Sequence, residues 1–147
     1  MDRDITTTWI DTMLKSLKGK DERLGQRVLE DCGRQCSVEN GMVFTAREIG
    51  EQYKNASEEE KFQAMKEAFS NDIYNIYKEA GMMYAEYEEC LCPLVSSKKD
   101  IDGFLCECTK GFTKSIAEAV FKKDVDITIL KTILRGDEKC LLAIRTL

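Results

Sequence analysis

The spacing of hydrophobic residues changes once along this chain, and that change limits the folds that the chain can adopt. In residues 1–81 apolar side chains recur about every three or four positions, which is typical of amphipathic helices. In residues 82–147 short alternating or β-branched segments flank one further helical stretch. The sequence therefore predicts a single α+β domain over 1–147, with a helical half over 1–81 and a β-β-α-β-β half over 82–147.

Each of the first two predicted helices has an apolar stripe in which the residues lie four positions apart in sequence. We expect these stripes to face the protein interior. The first helix has Ile5, Trp9, Met13 and Leu17, widened by Ile10 and Leu14, and the second, from about Asp21, has Leu24, Val28, Cys32 and Cys36.

Capping boxes mark the predicted starts of the next two helices. Thr45 with Glu48 and Ser57 with Glu60 have the spacing at which two side chains satisfy each other's backbone N–H groups. The helix that begins at Ser57 is the longest, and Gly81 is its predicted end. Its expected buried face consists of Phe62, Met65, Phe69, Ile73, Ile76 and Ala80.

The second half is predicted to form an antiparallel sheet on which the N-terminal helices pack. The chain's single proline, Pro93, ends the first strand, because proline cannot donate to a central strand ladder. The sequence RGDE forms the turn before the last strand. The predicted elements are strands over 82–92 and 102–108, a helix over 109–122, and strands over 125–134 and 139–147.

Composition and charge exclude several classes of function. The chain has 22 basic and 27 acidic side chains and a net charge of -5, with no basic stripe, so we expect no nucleic-acid partner. No apolar run approaches the roughly 20 residues that span a bilayer, and the N-terminus lacks a signal sequence, so we expect a cytoplasmic protein with no membrane contact. Because the chain has no histidine, triads, dyads and metal sites that need histidine are excluded.

Four of the seven cysteines form two C-x-C pairs, Cys90 with Cys92 and Cys106 with Cys108. Cytosolic thiols stay reduced, so this pattern indicates metal binding or catalysis before disulfides. Side chains at i and i+2 of a strand share a face. If the predicted strands pair, the four sulfurs converge as a tetrahedral thiolate site for zinc or an iron–sulfur cluster.

Of the other three cysteines, Cys32 and Cys36 have two interpretations. Cys32 and Cys36 lie one helical turn apart and would complete the thiolate site or form a second one. Alternatively they continue the Leu24 and Val28 stripe as small hydrophobic core residues. Cys140, taken alone, fits core packing.

Four motifs together carry a resemblance to a known family. They are C-G-R-Q-C on an early helix, C-L-C-P after a strand, C-E-C-T-K-G opening a helix, and R-G-D-E-K-C before a terminal strand. The chain resembles the 4-vinyl-reductase-type domain and is similar to the L-2-amino-thiazoline-4-carboxylic acid hydrolases. The resemblance implies the fold of ligand-binding domains of nitric-oxide signalling and Golgi-transport proteins. It also implies a homodimer and a small apolar or aromatic ligand, a tetrapyrrole or a partner protein.

The resemblance also bears on zinc. Aromatic sensors with this domain hold zinc partly by a thiolate from the G-D-x-x-C turn, which matches Cys140 here. Their other ligand positions fall near Ile129 and Thr132, which do not bind zinc. The resemblance therefore implies that any metal in this chain uses the C-x-C pairs instead.

Three functions follow as expectations. The first is a binding module in which Cys90, Cys92, Cys106 and Cys108, joined by Cys32 and Cys36, hold zinc or an iron–sulfur cluster beside an apolar pocket. The second is a hydrolase of a small cyclic amidine acid that uses a cysteine or a metal-bound water. In that enzyme Arg34 or Arg135 would bind the substrate carboxylate, and Glu86 or Glu88 would act as base, although a solvated strand face also explains both glutamates. The third is a thiol redox sensor.

Overall fold

The computed structural model describes residues 4–89, 92 and 101–147. These residues form five α-helices, one 3₁₀ helix and a four-stranded antiparallel sheet, which confirms the predicted α+β class. The helices are α1 (Ile5–Lys20), α2 (Glu22–Glu39), α3 (Met42–Gln52), α4 (Glu58–Phe69) and α5 (Cys108–Phe121), and the 3₁₀ helix is Gly103–Glu107. The strands are β1 (Tyr74–Glu79), β2 (Met82–Tyr87), β3 (Val125–Lys131) and β4 (Cys140–Thr146).

The strand order is β1-β2-β4-β3, and each neighbouring pair is antiparallel. Helix α5 packs against the sheet and also against α2 and α3, while α4 packs against β1. The main core lies between these helices and the inner face of the sheet. Its most completely buried large side chains are Met65, Ile76, Val120, Phe121, Leu142 and Ile144.

The β-β-α-β-β order is confirmed, but the first hairpin lies earlier in the chain than predicted. Helix α4 ends at Phe69 instead of continuing to Gly81, and β1 begins at Tyr74. The side chain of Asn71 causes this change, because its Oδ1 accepts hydrogen bonds from the N–H groups of Ile73 and Tyr74. The β1–β2 turn places Ala80 and Gly81 at φ 52° and 81°, so Gly81 is a hairpin residue and not a helix end.

The strand predicted over 102–108 is wrong. The segment forms the 3₁₀ helix and the first residue of α5, and Asp102 begins it by accepting the N–H of Phe104 at 2.9 Å. Within the described residues β2 pairs with β1 and β4, so the predicted pairing of 82–92 with 102–108 does not form. The strand predicted over 82–92 is confirmed as far as Tyr87.

The remaining boundaries follow the predictions with smaller differences. Ser57 caps α4 as predicted, with the Glu60 N–H donating to Ser57 Oγ at 3.2 Å, while the Ser57 hydroxyl donates to the Glu60 carboxylate at 3.1 Å. The Thr45 capping box is wrong, because α3 already begins at Met42 with Gly41 as its cap. Strands β3 and β4 lie within the predicted ranges 125–134 and 139–147.

The predicted inward stripe is wrong for α2 and right in part for α1, where Leu14 is buried and Ile10 and Leu17 pack against the same small core. Ile5 and Trp9 are 85% and 68% exposed, and Met13, Leu24 and Val28 are also exposed. Helix α1 also buries Asp11, whose carboxylate accepts the backbone N–H of Asp102 at 2.8 Å. This hydrogen bond and the apolar packing of Leu14 both hold the inward face of α1 against the segment that begins at Ile101. No helix in the described ranges has the length and apolarity needed to span a membrane.

Candidate functional site

One end of the sheet places two tyrosines and a cysteine in a row. The register pairs Tyr74 of β1 with Tyr87 of β2, and Tyr87 with Cys140 of β4. The two tyrosine rings are stacked, with centroids 4.6 Å apart and an interplanar angle of 14°. Side chains opposite each other on antiparallel strands project to the same face. This row therefore forms an aromatic and thiol-bearing floor.

Two glycines let helices α2 and α5 cross closely above that floor. A Cβ atom at Gly33 would lie 1.7 Å from the carbonyl oxygen of Cys108, and one at Gly111 would lie 1.8 Å from that of Glu30. Only glycine permits so close an approach of two backbones. The crossing brings Cys36, near the C-terminal end of α2, toward Cys108 at the start of α5.

The sheet end, α2, α5 and the 3₁₀ helix enclose a cavity of about 310 Å³. Its interior is largely apolar and aromatic, and its exposed members are Cys36 and the polar residues Asn40, Asn71, Glu89 and Lys131. This combination of an apolar interior with a few polar groups is typical of small-molecule sites. The apolar lining includes Phe69, Tyr74, Tyr87, Leu105, Phe112, Ile129, Leu134 and Leu142.

Five cysteines line the same cavity: Cys36, Cys92, Cys106, Cys108 and Cys140. The structure thus brings together three of the four C-x-C thiols and one member of the helical pair. Cys90 lies outside the described residues. Cys32 is exposed on α2 and does not line the cavity, so the predicted cooperation of Cys32 with Cys36 at one site is not seen.

The thiols are neighbours, but they are not assembled in ligating positions. Across 4–89, 92 and 101–147, no three cysteine or carboxylate groups lie close enough together to hold a metal ion. The set fits a soft metal in chemistry and in number, since zinc and iron–sulfur clusters each take up to four thiolates. Binding would require these side chains to move closer together.

Burial extends the protonated state of the central thiol, Cys108, into alkaline pH. Removal from water, with smaller contributions from Cys92, Cys106 and Cys36, raises the pKa of Cys108 to about 12. Burial likewise raises the pKa of Tyr87 to about 12 and that of Tyr74 well above its usual value. These three groups are therefore neutral near pH 7 in the metal-free protein.

The G-D-x-x-C turn positions Cys140, for which the sequence allows either a core or a site role. Asp137 accepts the N–H of Thr132 at 2.8 Å, and Thr132 Oγ1 accepts the N–H of Arg135 at 3.0 Å. The Ile133 N–H then points at Cys140 Sγ, 3.3 Å away. These contacts close the turn and hold the sulfur at the cavity wall.

The arginines expected to bind a substrate carboxylate are engaged with the protein. Arg34 pairs with Glu118 at 2.8 Å. Arg135 donates to the Gly103 carbonyl at 3.0 Å and lies 3.5 Å from the buried carboxylate of Glu107. Because Glu107 lies between Cys106 and Cys108 in sequence, Arg135 ties that cysteine segment to the turn that carries Cys140.

The glutamates proposed as bases lie away from the cavity. Glu86 forms an ion pair with Lys139, and neither Glu86 nor Glu88 lines the cavity. Among the described residues the carboxylate at its edge is Glu89, which is exposed. Sequence reasoning also missed Asn40, Asn71, Tyr74 and Lys131, whose place at the cavity depends on tertiary packing.

Comparison with known proteins places the chain in a family. A search of curated proteins finds no match to this sequence. A family model matches residues 2–147, which is nearly the whole chain. The chain belongs to the family of unknown function DUF6144.

Proposed function

We propose that this protein is a small ligand-binding module in which cysteine thiolates hold a soft metal beside an apolar cavity. The observation that carries the proposal is the convergence of cysteines from separate segments. Five of the six cysteines among the described residues line one cavity, and they come from α2, the 3₁₀ helix, α5, β4 and the position of Cys92. Burial alone does not require cysteines from so many elements to meet at one place.

The proposed metal ligands are Cys36, Cys92, Cys106 and Cys108, with Cys140 at the opposite wall. Their mutual proximity is reflected in the pKa of Cys108, which the other three thiols help to raise. A chain without histidine offers sulfur as its main soft donor, and zinc is the first candidate, with an iron–sulfur cluster second. A bound metal would cross-link segments that are distant in sequence and thereby stabilise the fold.

The apolar lining supports the second half of the proposal, a small apolar or aromatic ligand. The stacked pair of Tyr74 and Tyr87 and the ring of Phe112 offer flat surfaces against which a planar group can pack. The β-β-α-β-β order agrees with the proposed likeness to the 4-vinyl-reductase-type domain. The homodimer stays a prediction.

Binding is better supported than hydrolysis of a cyclic amidine acid. The hydrolase hypothesis needs a cation for the substrate carboxylate and a carboxylate base near a thiol. Arg34 and Arg135 are paired within the protein, and Glu86 is paired with Lys139. The thiol-sensor hypothesis remains an alternative that the same experiment distinguishes.

We expect protein purified without oxygen to contain about one zinc per chain, measured by elemental analysis together with a free-thiol count. The Cys108→Ser variant should lose most of this zinc, because its thiol lies among three of the others. Cys32→Ser is the matched control and should keep it, because Cys32 is exposed and does not line the cavity.

Other outcomes have definite meanings. Iron and sulfide in a brown protein would show that the bound group is an iron–sulfur cluster and not zinc. Equal metal in the parent and in both variants would contradict the proposed ligands. Metal-free protein that does not take up added zinc, and that loses two thiols reversibly on oxidation, would favour the sensor.

A further inference from the structure

The mouth of the cavity differs from its interior in a way that restricts the ligand. Asn40, Asn71, Glu89 and Lys131 all line the cavity and are exposed, whereas Phe69, Tyr74, Leu105 and Leu142 are buried inside it. A ligand that enters will place its apolar part inside and its polar part at the mouth. The polar groups at the mouth therefore select the ligand's polar end.

The two asparagines are held in one orientation by the backbone. Asn71 Oδ1 accepts the N–H groups of Ile73 and Tyr74 at 2.8 and 2.9 Å, and Asn40 Oδ1 accepts the N–H of Met42 at 3.0 Å. An amide oxygen so engaged fixes which end of the side chain is the NH₂ group. The NH₂ group of each asparagine is therefore the end of the side chain that can donate a hydrogen bond to a ligand in the cavity.

Lys131 adds a positive charge to these donors. It stands at the end of β3, just after the irregularity in the β3–β4 register between Ile129 and Lys131. Within the described part of the chain no carboxylate lies within ion-pair distance of its ammonium group; the pairs that form involve other lysines. Glu89 is the one opposing charge on the described lining.

We infer that the cavity binds a small apolar molecule that carries an anionic, acceptor-rich end such as a carboxylate. Lys131, at the β3 edge of the sheet, supplies the charge, and the NH₂ groups of Asn40 and Asn71 supply further hydrogen-bond donors elsewhere around the mouth. The cavity volume of about 310 Å³ corresponds to roughly ten water volumes, which suits a ligand of about ten to fifteen heavy atoms. This inference rests on the proposed ligand-binding function and names the ligand class.

The experiment compares acids with uncharged analogues of matching shape. Binding of phenylbutyrate, phenylbutanol, decanoate and decanol to the full chain is measured by calorimetry near neutral pH. The aryl and alkyl pairs distinguish a flat from a flexible apolar part. We expect at least one acid to bind about tenfold more tightly than its alcohol, because a charged acceptor gains more from these donors.

Three variants test whether residues at the mouth of the cavity cause the tighter binding of acids than of alcohols. Lys131→Met should weaken acid binding about tenfold and leave alcohol binding unchanged. Asn71→Asp keeps the Oδ1 atom that the Ile73 and Tyr74 N–H groups need, but replaces the donor with a negative oxygen, so it should also weaken acid binding selectively. Glu89→Gln should strengthen it. Lys20→Met is a charge-matched control on α1, away from the cavity lining, and should change nothing.

Acids and alcohols that bind equally to the parent would overturn the inference and leave the apolar cavity in place. A loss of acid binding that is equally large in Lys20→Met would assign the effect to net charge and would also overturn it. If no probe binds the parent, this ligand class is wrong. The zinc content of the same preparations is an independent readout, so failure of the metal proposal and failure of this inference are separable.

Discussion

Gly33→Ala is expected to lower the free energy of unfolding by about 3 kcal/mol or more. A Cβ atom at this position would lie 1.7 Å from the carbonyl oxygen of Cys108 and 2.8 Å from the Phe112 nitrogen. Both are backbone atoms, so no side-chain rotation relieves the overlap. Helices α2 and α5 would have to separate, and their contact is the most extensive between two helices in the described chain.

Urea unfolding followed by circular dichroism measures this effect, with Gly19→Ala as the control. A Cβ atom at Gly19 meets nothing within 4 Å, and Gly19 lies inside α1. Alanine is favoured over glycine in a helix by about 1 kcal/mol, so this variant should be unchanged or slightly more stable. Two variants of equal stability would show that α2 and α5 do not cross as closely as described.

The same variant links the helix crossing to the thiol site. Separation of α2 from α5 would move Cys36 away from Cys108 without removing a sulfur atom. Gly33→Ala should therefore lose bound zinc along with stability, whereas Gly19→Ala should keep both. Retention of full zinc content in a destabilised Gly33→Ala would remove Cys36 from the proposed ligand set.

The order of elements in the second half could be predicted from sequence, but the position of the first hairpin could not. Phe69, Ile73 and Ile76 fit a helical repeat, while Tyr74 and Ile76 fit the strand alternation that the structure adopts. Short apolar runs support both periods. In the structure, Asn71, which caps the following backbone, and the Ala80–Gly81 turn decide in favour of strands. In the sequence, neither signal outweighs a continuous apolar stripe at helical spacing.

The convergence of cysteines on one cavity could be predicted in part, although for a mistaken reason. The C-x-C spacing predicts a shared strand face for Cys106 and Cys108, yet they flank the junction between the 3₁₀ helix and α5. They still reach the same cavity as Cys92, because the Asp11–Asp102 and Arg135–Gly103 contacts hold that segment against the fold. Such long-range contacts have no signature in local spacing.

Cys140 and Lys131 also lie at the cavity through contacts that local sequence spacing does not reveal. Cys140 pairs with Tyr87, a neighbour more than fifty residues earlier in sequence. Its role at the cavity wall depends on the β2–β4 register, which no local pattern specifies. The resemblance based on the G-D-x-x-C turn drew attention to Cys140, whereas nothing in the sequence drew attention to Lys131.

Alkaline pH is expected to destabilise the metal-free protein as the pH rises from about 9 to about 12. Burial raises the pKa of Cys108 to about 12 from a reference value of 9.0 for the exposed thiol. In this interval the unfolded chain has released the Cys108 proton and the folded chain still holds it. Stability is therefore fully present below about pH 9 and falls by at most about 1.4 kcal/mol per pH unit for each such proton.

Tyr87 and Tyr74 add to the same trend above pH 10. Burial raises the pKa of Tyr87 to about 12 and raises that of Tyr74 well above its usual value, from a reference value of 10.0 for each. Denaturation midpoints measured at several pH values in the presence of a chelator give the slope. Cys108→Ala should reduce the slope between pH 9 and 10, whereas Cys32→Ala, which removes an exposed thiol, should leave it unchanged.

The alkaline slope of stability against pH also distinguishes the metal-bound from the metal-free protein. A thiol that ligates zinc is deprotonated already near neutral pH. Zinc-loaded protein should therefore lose the Cys108 contribution to the alkaline slope and should release protons when the metal binds. If the slope is the same with zinc and with chelator while zinc remains bound, Cys108 is not a ligand, and the metal must be held by the other thiols of the cavity.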